Sequence, residues 1–351
     1  MAALPSSAPA PAARNEAAPG LRRSAWLALV LLVLSAVLLL VGASVGSTGW
    51  ESVLRMRDDP TSWQIVVDIR LPRSLGAWLA GGLLGLAGAV AQGLFRNPLA
   101  DPYLLGSASG ASLGSALGLV LLGSSVTSLN LLYRLGMTGM AFVGAACAVA
   151  LTVVLARNVQ NTLRLLLAGV IVGVVLGAMR DLLELRHPDI LQAMQAFTLG
   201  TSAFVGWEGC ALMAGVLLVC VLATWCCARV LDGLTLGEAT AASLGLPLAP
   251  LRYGLVAVLA LATGTSVAQT GLIAFVGLAA PHLVRSLVQV GHGRSTVLAA
   301  AMGGVLLLAA DILARWLVAP QELPVGVLTA ALGGTYLLWR MHRSTRSAEG
   351  L

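Results

Sequence analysis

The stretch that decides the fold runs from Arg70 to Gly118: RLPRSLGAWLAGGLLGLAGAVAQGLFRNPLADPYLLGSASGASLGSALG. It reads as two apolar helices joined by a tight polar corner. The first helix opens with Arg70 and Arg73. The corner, Arg96-Asn97-Pro98-Leu99-Ala100-Asp101-Pro102, is too polar and too rich in proline to continue a helix through hydrocarbon, where no water can satisfy a broken backbone. Asp101 is placed to cap the helix that follows, with Pro102 in its first turn. That helix carries Gly106, Gly110, Gly114 and Gly118, one every four residues. The spacing stacks them on one face, where missing side chains let another backbone approach.

The whole chain supports a membrane setting. It has 351 residues, of which 58% are hydrophobic and 10% charged; soluble domains carry about 25% charged residues. Its 40 glycines fit closely packed spans better than a greasy anchor. All 21 basic residues are arginine. Without lysine there is no phosphate-binding P-loop and no Schiff base, so any ATP that drives this protein is hydrolysed by another chain. The five cysteines (Cys147, Cys210, Cys220, Cys226 and Cys227) lie in apolar segments without a C-x-x-C pair, and the four histidines are scattered. They read as buried thiols rather than metal ligands. The formal charge of +6 comes from arginines that flank apolar stretches. These are topology signals, not a stripe for nucleic acid.

Residues 1–22 begin with an Ala-, Pro- and Ser-rich segment and are expected to be a disordered tail. Arg22 and Arg23 then precede Trp26–Val45, whose apolar core is too long for a signal peptide and lacks a good cleavage site. Nine further apolar stretches follow: Leu75–Leu94, Tyr103–Leu122, Leu135–Leu155, Leu163–Met179, Gly209–Ala228, Tyr253–Val267, Leu272–Val290, Val297–Val318 and Val325–Trp339. The reading is an all-α integral membrane protein with ten spans, a membrane domain over 23–343 and a short tail at 344–351. An even number of spans puts both termini on one side. That side collects 13 arginines against five acids, and the other has eight against ten. The positive-inside rule therefore makes the termini and the Arg96–Asp101 corner cytoplasmic, with Arg70 and Arg73 external. The outer segments Gly46–Ser74 and Arg180–Glu208 are expected to lie as short helices on the surface.

One cytoplasmic segment stands apart, Leu234 to Pro247. Thr235 and Glu238 have capping-box spacing, Gly245 is a candidate C-cap and Pro247 a stop. This predicts a helix of about nine residues, too short to span, with Leu236, Ala239, Ala242 and Ser243 on a small-residue face. It serves either as an interfacial connector or as a dock for a cytosolic partner. Asp311 and Arg315, and likewise Arg180 and Glu184, are four apart on helix faces near the outer side. They read either as local pairs snorkelling to the interface or as charges that line a path or dock a partner. Pro281 should kink its span, and His282 beside it reads as an interfacial polar residue rather than a catalytic one.

Several motifs, in order, resemble the FecCD/vitamin B12 permease family: Arg70–Arg73, Gln92–Gly106, Leu236–Leu246, Phe275–Arg285, Ala310–Arg315 and Glu322–Val327. Members are transmembrane subunits of type II ABC importers for iron–siderophores, haem and cobalamin. The resemblance covers about Trp26 to Met341. It implies ten helices, a homodimer, two cytosolic ABC ATPases that bind the ATP and Mg, and a periplasmic binding protein above a bacterial inner membrane. This chain would hold no cofactor and no catalytic residue. By the same resemblance, Arg70, Arg73 and Arg315 dock the binding protein, and Asn97 and Leu99 form a cytoplasmic gate. A coupling helix over about 235–246 enters the ATPase, with Thr235, Leu236, Glu238, Ala242, Leu244 and Gly245 as its contacts. The pathway follows the dimer axis beside Leu163–Met179. Two stretches depart from the family pattern, Phe197–Ser202 and Gly333-Gly334-Thr335-Tyr336. A secondary transporter is disfavoured because the span centres are nearly free of acids and histidines. A membrane enzyme is disfavoured because no catalytic cluster stands away from the surfaces.

Overall fold

A computed structural model describes residues 18–46, 49–50, 59–123, 131–156, 162–235, 237–243 and 248–349. Helix α1 (Ala18–Ser44) ends in a two-stranded ribbon, β1 (Val45–Gly46) against β2 (Gly49–Trp50). Asp59 then caps α2 (Pro60–Ile65), its carboxylate accepting the Thr61 and Ser62 N–H groups. A π turn over Val66–Arg70 leads into α3 (Leu71–Phe95). The separate surface helices expected before Leu75 are thus the start of one helical run of 36 residues, Pro60–Phe95. Pro72 has no N–H for an α ladder, and the ladder loosens into the π turn just before it.

The remaining helices are α4 (Ser107–Leu122), α5 (Leu131–Leu155), α6 (Thr162–Arg186), α7 (Leu191–Leu199), α8 (Trp207–Cys226), α9 (Ala228–Thr235), α10 (Glu238–Ser243), α11 (Leu248–Thr270), α12 (Val276–Leu287), α13 (His292–Trp316) and α14 (Val325–Glu349). Each of the ten apolar stretches carries a helix. Among the described residues seven helices are long and apolar enough to cross a membrane, and Ser107–Leu122 and Val325–Tyr336 are shorter apolar ones. Two stretches differ from expectation. Tyr103–Leu122 begins as a 3-10 turn, Pro102–Leu105, and Gly106 in the left-handed region resets the chain before α4. Leu272–Val290 is helical only from Val276 to Leu287, so α12 is 12 residues, about 18 Å at the usual rise. Its non-helical lead-in is bonded within the protein: Leu272 N–H donates to Phe197 O (3.0 Å) and Thr201 N–H to Thr270 O (2.8 Å). Irregular backbone at membrane depth is tolerated only when covered in this way.

Helix α3 is the centre of the packing. It is apolar all round, and 22 of its 25 residues are buried. Helices α13, α11, α12, α8 and α1 pack around it. The contact with α13 is made by backbone. A Cβ on Gly81 would lie 2.3 Å from Gly303 O, and one on Gly303 2.2 Å from Gly81 O. The Gly106–Gly118 series does the same for α4 on α5, where a Cβ on Gly110 or Gly114 would meet Gly144 O at 2.3 Å or Met140 O at 2.2 Å. The series at Gly169, Gly173 and Gly177 packs tightly at its first member, against Leu104 O, and loosely at Gly173, beside Ser109 and Gly106; Gly177 faces open space. Much of α6 and α1 is uncovered, with Val174 67% and Leu32 70% exposed, as befits surfaces that meet lipid or another subunit. Of the cysteines, Cys210 and Cys220 are buried, whereas Cys147 and Cys226 are on exposed faces.

Gly303→Val should destabilise the fold by an amount toward the upper end of the roughly 1–3 kcal/mol that overpacking costs. Gly177→Ala should leave stability equal or slightly raised. Thermal unfolding of both variants in the same detergent measures the difference.

Candidate functional site

Two polar regions lie at opposite ends of the α3–α13 pair. At the end where α3 starts, four charged side chains converge. Arg73, in the first turn of α3, donates through Nε and Nη2 to Asp311 Oδ1 (both 3.2 Å) and through Nη1 to Glu322 Oε2 (2.8 Å). Ser202 Oγ, from the loop between α7 and α8, donates to the same Asp311 oxygen. Arg315 Nη2 lies 2.7 Å from Asp311 Oδ2, an ionic contact without hydrogen-bond alignment. Arg315 also donates to Gly42 O (2.9 Å), Val45 O (3.0 Å) and Ser74 Oγ (3.2 Å), which ties the end of α1 and strand β1 to α13. Two arginines face two carboxylates, so the cluster is neutral and its members can be buried together.

That burial changes the reading of the external arginines. Asp311 and Arg315 are each 1% exposed. Their expected i,i+4 pair forms, but it is an interior strut and does not snorkel. Arg315 has every nitrogen engaged inside the protein, so it offers no guanidinium to a docking partner. Arg73 is nearly as enclosed, and Arg70 is buried with its guanidinium against Gly46, where a Cβ would lie 2.5 Å from Nη2. Sequence reasoning brought Arg73 and Arg315 to the same end. It missed Ser74, Ser202 and the receiving role of Glu322, none of which has a local pattern. The Arg180 pair does form, with Nε 3.2 Å from Glu184 Oε1.

At the other end α3 stops at Arg96, whose φ of 49° puts it in the left-handed region. Asn97 N–H then reaches back to Gln92 O (3.2 Å). Asn97 builds the corner: its Oδ1 accepts Leu99 N–H (2.9 Å) and its carbonyl accepts Ala100 N–H (3.0 Å). Leu99 is thereby projected outward, 54% exposed. Asp101 Oδ1 accepts Tyr103 N–H (2.8 Å), so the expected cap exists, on the 3-10 turn. Burial raises the Asp101 carboxyl above its ordinary pKa, and the Tyr103 N–H opposes that shift. Gln92 ties the corner to α12 by donating to Leu278 O (3.2 Å) and accepting from Arg285.

Beside this corner lies the expected coupling segment. Thr235 is the last residue of α9, and its hydroxyl donates to Asp232 O (2.6 Å), so it does not cap α10. The capping box is replaced by a turn at Gly237, where φ is 100°. Helix α10 spans six residues, Glu238–Ser243, with Ala241 buried and Thr240 and Ser243 exposed. Leu236, Leu244, Gly245 and the side chains of Glu238 and Ala242 lie outside the described residues. Asp232 fastens α9 to the start of α13: its Oδ1 is 2.9 Å from His292 N and 2.7 Å from His292 Nδ1. His282 packs its ring edge-on to Tyr336, centroids 6.2 Å apart, in the α12–α14 contact. Among the described residues no group of three His, Cys, Asp or Glu side chains is placed to hold a metal.

Asp311→Ala would strand two buried guanidinium groups. The expected loss is about 3–5 kcal/mol, read as a lower unfolding temperature and poor recovery of folded protein. Glu322→Gln, at a side chain that is itself 30% exposed, should cost about 1 kcal/mol or less in the same assay.

Comparison with known proteins places these features. The FecCD transport family matches residues 27–343. The hemin transport system permease protein HmuU of Yersinia pestis is 37% identical over 327 residues, covering 91% of this chain and 96% of that protein. The vitamin B12 import system permease protein BtuC of Salmonella paratyphi A is 38% identical over 328 residues, covering 93% and 97%. Among solved structures, an inward-facing conformation of a metal-chelate type ABC transporter superposes with a TM-score of 0.80 at 27% identity, covering 90% of this chain and 98% of that one. PsaBC from Streptococcus pneumoniae shares the fold at a TM-score of 0.55 and 17% identity. With relatives of this likeness matched from end to end, and the family pattern running from residue 27 to residue 343, the chain belongs to the FecCD transport family.

Proposed function

We propose that this chain is the membrane-spanning permease subunit of an ATP-driven importer that moves a large metal chelate inward. The observation that carries the reading is the match along nearly the whole chain to permeases for haem and for vitamin B12. The chelate is an iron–siderophore or haem, with cobalamin the close alternative. Two copies of the chain form the pathway, two cytosolic ABC ATPases bind the ATP and Mg, and a periplasmic binding protein delivers the cargo. The chain performs no covalent chemistry and binds no cofactor of its own. It crosses the bacterial inner membrane ten times, with both termini cytoplasmic; the 13 arginines on that side support the orientation.

The residue roles are those the family resemblance implies, set beside the geometry. The binding protein docks at the outer end, on the surface held by Arg70 and Arg73; buried Arg315 braces that surface from beneath. At the inner end Asn97 shapes the corner and Leu99 closes the gate, its exposed side chain meeting the pathway or the second copy. Helix α10 with Thr235, Leu236, Glu238, Ala242, Leu244 and Gly245 receives the ATPase, and the exposed face of α6 borders the dimer axis.

Proteoliposomes containing the chain, its ATPase and its binding protein should take up one labelled chelate among haem, a ferric siderophore and cobalamin. Uptake should require ATP and the binding protein. Uptake that persists without ATPase and stops when the proton gradient is collapsed would mean a secondary transporter. In the same vesicles, Glu238→Arg with Leu244→Arg should cut uptake by roughly tenfold or more while ATP hydrolysis continues, since about 1.4 kcal/mol of lost docking energy is already tenfold. Unchanged coupling would make the segment a plain connector.

A further inference from the structure

A recess of about 650 Å³ lies at the same end as the Asn97 corner, between the start of α1 and the α12–α13 turn. Arg23 lines it from α1, Arg285 from α12 and Arg294 from α13, together with the segment from Ser286 to Gly291. Gly20 closes one edge, a Cβ there lying 3.4 Å from Gln289 O. No acidic side chain is among the lining residues. The nearby carboxylate, Asp232 across Gly291, is engaged by the His292 N–H and ring. Arg285 donates to Gln92; among the described residues neither Arg23 nor Arg294 meets a carboxylate. Three arginines therefore share one polar recess with no counter-charge in its lining. Such an arrangement concentrates positive potential and attracts an anion.

The surroundings say which anion. Trp26 and Leu29, about one and two turns along α1 from Arg23, are 66% and 49% exposed, and Leu287 in the lining is 55% exposed. The recess thus adjoins a helix with an exposed apolar face that carries a tryptophan, a residue enriched at membrane interfaces. A free phosphate would meet the arginines but leave the apolar rim and most of the volume unused. A glycerophospholipid presents a phosphodiester below and acyl chains above, which matches both parts.

We propose that this recess is a binding site for the headgroup of an anionic phospholipid, gripped by Arg23, Arg285 and Arg294 and seated so that its acyl chains run along α1. Occupancy ties α1 to the α12–α13 turn at the end where α9 meets α13. The site depends on membrane embedding but not on which cargo is carried, so lipid binding and transport can fail separately.

The purified full chain, exchanged into nanodiscs of phosphatidylcholine with a minority of phosphatidylglycerol, tests the site by native mass spectrometry of retained lipid. Wild type should keep phosphatidylglycerol in preference to phosphatidylcholine. Arg23→Gln with Arg294→Gln should weaken that retention roughly twentyfold, given the usual contribution of a basic residue near a charged membrane surface. Arg23→Lys with Arg294→Lys should keep most of it, and Arg164→Gln, an exposed arginine outside the recess, should change nothing. Thermal unfolding confirms that each variant is folded. Equal retention of both lipids, unchanged retention in the double Gln variant, or displacement of the lipid by millimolar inorganic phosphate would overturn the proposal.

Discussion

Helix α3 and helix α13 touch through their backbones, with Gly81 and Gly303 facing each other's carbonyls and Gly85 beside them. In hydrocarbon there is no hydrophobic drive to bring helices together, so close van der Waals contact must supply it. A side chain at either glycine would push two 25-residue helices apart along their shared length. The other helices then depend on that pair. Because α3 is buried on nearly every face, each neighbour packs on α3 or on a helix already docked to it. Close packing of this kind leaves little room for continuous deformation of the pair.

The two ends of the pair are secured by polar contacts of different kinds. Where α3 begins, Asp311 accepts from Arg73 and Ser202 and faces Arg315, and Arg315 reaches on to the carbonyls that end α1. The charges are compensated and enclosed, which makes them expensive to separate. Where α3 ends, the Asn97 side chain and the left-handed Arg96 turn the chain over four residues, and Gln92 fastens the corner to α12. Asp232 meanwhile holds α9 to the first residue of α13. Asp232 thus joins α9 directly to α13, the helix that carries Asp311 toward its far end.

The apolar stretches and the family were legible in the chain, because twenty-residue hydrophobic runs and ordered motifs are local signals. The corner at Arg96–Asp101 was legible for the same reason: proline, asparagine and aspartate act within three or four residues of themselves. The failures share a cause. Thr235 and Glu238 have the spacing of a capping box, yet Thr235 ends α9, because the α9 helix continues to that residue before Gly237 turns. Leu272–Val290 looks like a single span, yet its first residues are held non-helical by Phe197 O. Arg315 carries the motif of an exposed docking residue, yet it lies inside, because its partners come from α1, α3 and its own helix at once.

Composition, the lack of lysine and the spacing of glycines were enough to establish a helical membrane protein without a P-loop of its own. Those properties sum over local segments, and a segment's need to bury its own backbone is set by its own residues. Burial of individual charges was decided only by the tertiary structure. An arginine at a helix end can face water, lipid or a carboxylate 238 residues away, as Arg73 does with Asp311, and its own sequence neighbourhood is the same in each case. The same holds for Gly81 and Gly303: each is one glycine among 40 until the fold sets them backbone to backbone.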